Sequence, residues 1–250
     1  MPDVAVLCGG LGTRLRAAVA DRPKALAVVA GRPFLAWLLD LLDLHGFSRV
    51  VLCTGYQAEQ IEAEFGAIYK RLHLRYSREP SLVGTGGAVR QALPLIESQG
   101  VLVVNGDSYC RVDLKRFWRD HLASQAAASI VLTHVVDSSR FGSVQLGSAG
   151  LVTAFQEKAS GAGPGWINAG IYLANRALLQ AIPPNRVCSL EREIFPTWIE
   201  LGLRGVKSEG PFVDIGTPES YASADTLFQG QATTPLETSR SRAAPTGAVA

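Results

Sequence analysis

Ten residues near the N-terminus, Leu7-Cys8-Gly9-Gly10-Leu11-Gly12-Thr13-Arg14-Leu15-Arg16, combine a glycine-rich stretch with fixed positive charge. Glycines let the backbone approach a ligand closely, and successive N–H groups aimed at one place form an anion site. Arg14 adds a planar fork that suits phosphate oxygens. Lys24, in Asp21-Arg22-Pro23-Lys24-Ala25-Leu26, could fold back over the same anion as a point charge. Taken singly, the glycines fit a tight turn and Lys24 fits a solvated surface lysine. Two other phosphate signatures fail here. No Lys-Ser or Lys-Thr follows the glycines as a P-loop requires, and a G-x-G-x-x-G begun at Gly10 meets Leu15 at its third position.

Nucleophilic and zinc chemistry find no support. There is no G-x-S-x-G, and His45, His73, His121 and His134 form no recognisable constellation. Cys8, Cys53, Cys110 and Cys188 stand far apart, without a C-x-x-C pair. Such cysteines read as small buried hydrophobes.

The elements that must carry the glycine loop alternate in type. Val4–Cys8 reads as a buried strand, Phe34–Leu42 as a helix ending at Gly46, and Arg49–Cys53 as the next strand. Ala58–Phe65, Leu72–Tyr76, Gly86–Leu93 and Val101–Asn105 continue as helix, strand, helix and strand. This alternation predicts an α/β fold, Rossmann-like, with a mixed but mostly parallel sheet flanked by helices. Ligands in such sheets gather beyond the carboxyl ends of the strands. In the second half, Ser129–His134, Gly142–Leu146, Leu151–Glu157 and Ile167–Leu173 read as strands, the last three pairing as a sheet extension. Leu190–Leu201 reads as a helix and Phe212–Ile215 as a strand. Thr217-Pro218-Glu219 then opens a helix, with Thr as cap, Pro at the first turn and Glu on the helix dipole. Residues 229–250 are nearly devoid of large apolar side chains and read as a disordered tail after a domain of residues 1–228.

The 250 residues are 47% hydrophobic and 18% charged, with a formal net charge of +2. That composition fills a sizeable core and excludes a disordered chain. It lacks the basic bias of a dedicated nucleic-acid binder, and no run is long and apolar enough to span a membrane. No nucleic-acid or membrane partner is expected. The N-terminus carries no signal pattern, and the cysteine usage suggests a reduced, cytoplasmic compartment.

The motif G-G-x-G-T-R-L, followed by Pro23-Lys24 and Gly31-Arg32-Pro33, resembles the signature of sugar-1-phosphate nucleotidylyltransferases. The resemblance continues in order to about Tyr221, with no hexapeptide series for a β-helix extension. It implies the nucleotide-diphospho-sugar transferase type of fold, with a nucleoside triphosphate and a sugar-1-phosphate as substrates and Mg²⁺ as cofactor. Leu7, Gly9, Gly10, Gly12 and Thr13 would hold the nucleotide, together with Glu79, Gly84 and Thr85 of the nucleobase segment. Arg14 would hold the leaving pyrophosphate and Lys24 the α-phosphate. Asp107, in Asn105-Gly106-Asp107, and Asp214 resemble the metal aspartates, and Asp107 is expected to act in catalysis. Glu157 and Lys158 resemble the sugar-phosphate element, with Ala159 where the family has proline. Asn168 and Gly170 match its sugar-contacting N-x-G, and Glu191 opens a helix that borders the sugar. Singly, the aspartates and Glu191 also suit caps, turns or helix first turns.

The implied reaction needs no general base, because a sugar phosphate is already an anionic nucleophile. The protein must supply alignment and charge neutralisation at the α-phosphate. Guanine offers N1–H and N2–H₂ side by side, and a carboxylate at Glu79 could accept both; pairing of Glu79 with Arg75 or Arg78 at the surface is the other possibility. Within the family, the combined pattern, including Phe141-Gly142-Ser143-Val144, is most similar to enzymes that use GTP and D-glycero-α-D-manno-heptose 1-phosphate for bacterial surface polysaccharides. Mannose-1-phosphate guanylyl transfer, a uridylyltransferase on another sugar phosphate, and a non-catalytic nucleotide-sugar sensor are the alternatives. Family members often pair, so a homodimer is an implied assembly.

Overall fold

The N-terminal aliphatic run lies in the middle of a sheet. The computed structural model describes residues 1–15, 19, 21–156 and 163–229. The first half runs through β1 (Asp3–Leu7), a small hairpin of β2 (Val28–Val29) and β3 (Arg32–Pro33), and α1 (Phe34–Leu44). It continues with β4 (Arg49–Thr54), α2 (Ala58–Phe65), β5 (Ile68–Tyr69), β6 (Leu72–Arg78), α3 (Gly84–Ala92) and β7 (Gly100–Asn105). Then come β8 (Ser108–Cys110), α4 (Leu114–Ser124), β9 (Ala128–Val135), β10 (Ser143–Leu146), β11 (Val152–Gln156) and β12 (Gly165–Asn175). The chain closes with α5 (Arg176–Gln180), α6 (Phe195–Glu200), β13 (Arg204–Ser208), β14 (Phe212–Asp214) and α7 (Pro218–Gln229).

Among the described residues, ten strands form one sheet with the order β11-β10-β12-β7-β1-β4-β6-β5, and β9 joins β12 to β13. β1, β4, β6 and β7 are mutually parallel, whereas β12 runs antiparallel to β7. Alternation along β1 explains the two-sided burial. Val4 and Val6 pack with Phe34, Leu38 and Leu52 on one face, while Ala5 packs with Val51, Val103 and Ala88 on the other. The connection from β1 leads to β4 on one side, and β7 returns on the other. That reversal opens a crevice at the carboxyl ends of β1 and β7.

The start of this central pair is tied by one carboxylate. Asp3 accepts hydrogen bonds from the backbone N–H of Glu97 at 2.6 Å and of Ser98 at 3.0 Å, and from Arg49 Nε at 2.6 Å. Burial opposes its charge, but these donors outweigh that and hold its pKa below the ordinary value. Asp3→Ala is expected to cost about 1.5–3 kcal/mol in denaturant unfolding at neutral pH. Because the folded pKa is the lower one, the difference between the two proteins should shrink as pH falls through it.

Two of the expected elements differ in the structure, and one pairs in a way the pattern did not specify. The helix expected over Gly86–Leu93 begins at Gly84. The stretch expected as one helix from Leu190 divides into a π-helical turn, Leu190–Ile194, followed by α6. Pro196 accounts for the division, since it lacks an N–H and its ring crowds the carbonyl four residues back. Phe212–Asp214 does not join the main sheet; it pairs with β8 in a separate ribbon, Asp214 opposite Ser108. Neither β8 nor α4 was expected, although α4 carries a legible start: the Asp113 side chain accepts from Arg116 N at 2.9 Å.

Candidate functional site

A cleft of about 420 Å³ opens at the carboxyl ends of β1 and β7. Leu7, Gly9, Gly10, Gly12, Thr13 and Arg14 line one wall, and Lys24, Glu79, Gly84, Thr85 and Asp107 also face it. Gly12 takes a left-handed turn with φ +59°, which an L side chain rarely adopts. Leu15 N then donates to Gly12 O at 2.9 Å, and the Leu15 side chain is fully buried. The loop is thus pinned from below while its exposed face carries Thr13 and Arg14.

Lys24 sits on a short 3-10 turn, Lys24–Leu26, beneath that loop. Its Nζ lies 2.7 Å from Asp107 Oδ2, and its side chain is 12% exposed against 42% for Asp107. This is no solvated surface lysine. The ammonium is held between the glycine loop and the turn after β7, and Gly106 N donates to Leu7 O at 2.8 Å to keep the two together.

The alternative surface role of Glu79 is removed by its neighbours. Arg78 pairs with Glu62, and Arg75 pairs with Glu97 at 3.2 Å. The Glu79 carboxylate faces the cleft and accepts from Val83 N at 3.3 Å. Burial pushes its pKa up. A Cβ at Gly9 would stand 2.4 Å from Glu79 Oε1, so the missing side chain makes room for the carboxylate.

Several of the remaining expected residues bond to one another at or behind the cleft wall. Thr85 faces the cleft, but its hydroxyl donates to Glu191 Oε2 at 2.7 Å and accepts from Leu190 N at 2.8 Å. Glu191 also accepts from Ser189 Oγ at 2.7 Å, so its carboxylate docks the π-helical turn onto α3. Gly84 is required by packing, since a Cβ would meet Cys188 O at 2.4 Å. Asn168 and Gly170 form a bulge in β12: the register to β9 passes from Asn168 opposite Leu132 to Tyr172 opposite Ile130. Asn168 donates to the Tyr172 hydroxyl at 2.7 Å and accepts from Gly170 N at 2.8 Å. Gly170, at φ +77°, presses against Ser108 and Asn105. Asn168, Gly170 and Glu191 are therefore placed to shape the wall and are not among the residues lining the cleft. Glu157 and Lys158 lie outside the described residues. Gly216 lines the cleft without having been expected to, and Arg140 and Tyr172 make unanticipated side-chain contacts beside it. Gly216 belongs to the turn that follows the Asp214 motif, whereas no local motif announces Arg140, whose partner Asp214 is distant in sequence.

The β8–β14 ribbon brings the two aspartate segments together, and Ile215 N donates to Asp107 O at 2.9 Å. Asp107 engages Lys24, while Asp214 Oδ1 accepts from Arg140 Nη2 and Ser220 Oγ, each at 3.3 Å. Among the described residues no group of three or more His, Cys, Asp or Glu forms a metal cage. Two carboxylates on adjoining segments still suit Mg²⁺, which takes one or two carboxylates and completes its shell with phosphate oxygens and water. All four cysteines are free and buried, and among the described residues no helix is long and apolar enough to cross a membrane.

Residues 4–230 match the nucleotidyl transferase family. The chain is 33% identical over 228 residues to D-glycero-alpha-D-manno-heptose 1-phosphate guanylyltransferase of Aneurinibacillus thermoaerophilus, covering 91% of this chain and 98% of that protein. It is 35% identical over 239 residues to mannose-1-phosphate guanylyltransferase of Mycobacterium tuberculosis, covering 93% of this chain and 66% of that one. The crystal structure of HddC from Yersinia pseudotuberculosis complexed with GMP-PN superposes with a TM-score of 0.80 at 31% identity, covering 91% of this chain and all of HddC.

Proposed function

The chain belongs to the nucleotidyl transferase family, and from that premise we propose that it transfers GMP from GTP to D-glycero-α-D-manno-heptose 1-phosphate. The observation that carries this reading is the Lys24–Asp107 pair held under the glycine loop, in a chain that covers 98% of a relative so named. A phosphate oxygen of the sugar-1-phosphate attacks the α-phosphorus of GTP, the bond to the bridging oxygen breaks, and pyrophosphate leaves. The glycine-loop N–H groups and Arg14 hold the β- and γ-phosphates, and Lys24 holds the α-phosphate. A Mg²⁺ ion on Asp107 and Asp214 would supply further neutralisation of phosphate charge. Glu79 reads the guanine edge from within the cleft.

Mg²⁺-dependent pyrophosphate release from GTP, UTP, CTP, dTTP and ATP, crossed with a panel of sugar-1-phosphates, tests the reading. Turnover with GTP and the heptose phosphate supports it. The 35% identity to a mannose enzyme favours mannose 1-phosphate as the second reading, and turnover with that sugar alone would establish it. Binding of a nucleotide without any release would instead identify a sensor.

A pH profile adds a separate check on Glu79. Since burial raises its pKa, kcat/KM for GTP should fall on the acid side with a midpoint higher than an ordinary glutamate would give. The ratio of wild type to Glu79→Gln isolates that limb, because titration of the substrate phosphates is common to both.

A further inference from the structure

Arg140 lies in the loop between β9 and β10 and reaches across to β14. Its Nη2 donates to Asp214 Oδ1 and to Ser220 Oγ, each at 3.3 Å, and Ser220 Oγ donates to the same Oδ1 at 3.3 Å. One carboxylate oxygen is therefore held from two sides. The other, Oδ2, is the nearer of the two to Gly216, where an added Cβ would stand 2.6 Å from Oδ2 and 3.1 Å from Oδ1. Gly216 lines the cleft. The Arg140 loop is itself docked on the strand that carries Asp214, with the Phe141 and Phe212 rings edge to face at 5.9 Å.

We propose that Arg140 is a positioning residue that fixes Asp214 Oδ1 so that Oδ2 is presented to a divalent cation in the cleft. The inference rests on the reading of Asp214 as a metal ligand. Partners that orient a ligating carboxylate typically change metal affinity 10–100-fold when removed. The guanidinium charge acts in the opposite sense, repelling a cation. The Arg140 side chain is 43% exposed, so solvent and salt screen that repulsion, and orientation dominates.

Mn²⁺ binding to the full chain alone, followed by water-proton relaxation, separates these effects. Arg140→Met should weaken Mn²⁺ binding about 10–100-fold, and Arg140→Lys should recover part of the loss. Ser220→Ala, which removes the second hold on Oδ1, should weaken binding in the same direction by a smaller factor. Thermal unfolding of each variant confirms that the fold is kept. Unchanged or tighter Mn²⁺ binding by Arg140→Met, alongside weakened binding by Asp214→Asn, would overturn the inference and leave Asp214 as a ligand. Mn²⁺ binding by Asp214→Asn equal to wild type would overturn both.

Discussion

Replacing Lys24 by alanine should lower kcat for pyrophosphate release by about 10²–10³ while the protein stays folded. The size follows from where the ammonium is held. It lies 2.7 Å from Asp107 Oδ2, almost withdrawn from water, under a loop whose Gly12 would bring a Cβ within 3.2 Å of Lys24 Cβ. On the proposed reaction, a charge fixed in this way would stabilise the α-phosphate without reorganising. Its removal also leaves the Asp107 carboxylate facing the phosphates with no counter-charge. Lys24→Arg should rescue poorly, since a planar fork does not fit a site shaped around a point charge. The Lys24→Ala/Asp107→Ala double variant should lose less than the product of the two single losses, because the pair acts as a unit. Steady-state kinetics at saturating GTP, with thermal unfolding as the control, measure all three. Full activity in Lys24→Ala would remove that residue from the chemistry.

Glu79→Gln should reduce kcat/KM for GTP by about 10–100-fold, the equivalent of about 1.5–3 kcal/mol for hydrogen bonds to a charged group. Guanine presents two adjacent donors, and the wild-type carboxylate can accept both. Glutamine offers one oxygen and turns an NH₂ toward a donor. Inosine triphosphate, which lacks the 2-amino group, sharpens the test. Wild type should discriminate against it, and Glu79→Gln should discriminate much less. An unchanged preference for GTP over inosine triphosphate in the variant would place base reading elsewhere in the cleft.

Local chemistry sufficed for much of this protein. The aliphatic run at Val4–Val6, the helix periodicity from Phe34 and the strands at Arg49 and Val101 each carry their own pattern, and each forms close to where that pattern ends. The place of the glycine loop in the cleft was equally legible, because backbone freedom and a neighbouring arginine are properties of consecutive residues. Pro196 and Asp113 are likewise local signals, a helix break and a cap.

What the sequence could not decide is which side chains remain available once the chain is folded. Glu79 had a surface role and a cleft role open to it; the pairing of Arg78 and Arg75 with other carboxylates left it in the cleft. Asn168 and Glu191 resembled sugar contacts, yet their polar atoms engage Tyr172 and Gly170, and Thr85 and Ser189. Lys24 became buried because Gly12 of the glycine loop packs against its side chain, close enough that a Cβ there would stand 3.2 Å from Lys24 Cβ. The sequence by itself determined the α/β alternation and the glycine-rich turn at the end of the first strand, since both depend on residues close together in the chain. Only the tertiary structure decided the meeting of the Asp107 and Asp214 segments and the hold of Arg140 on Asp214. Those depend on β14 pairing with β8 rather than joining the main sheet, a choice made by packing between elements about a hundred residues apart.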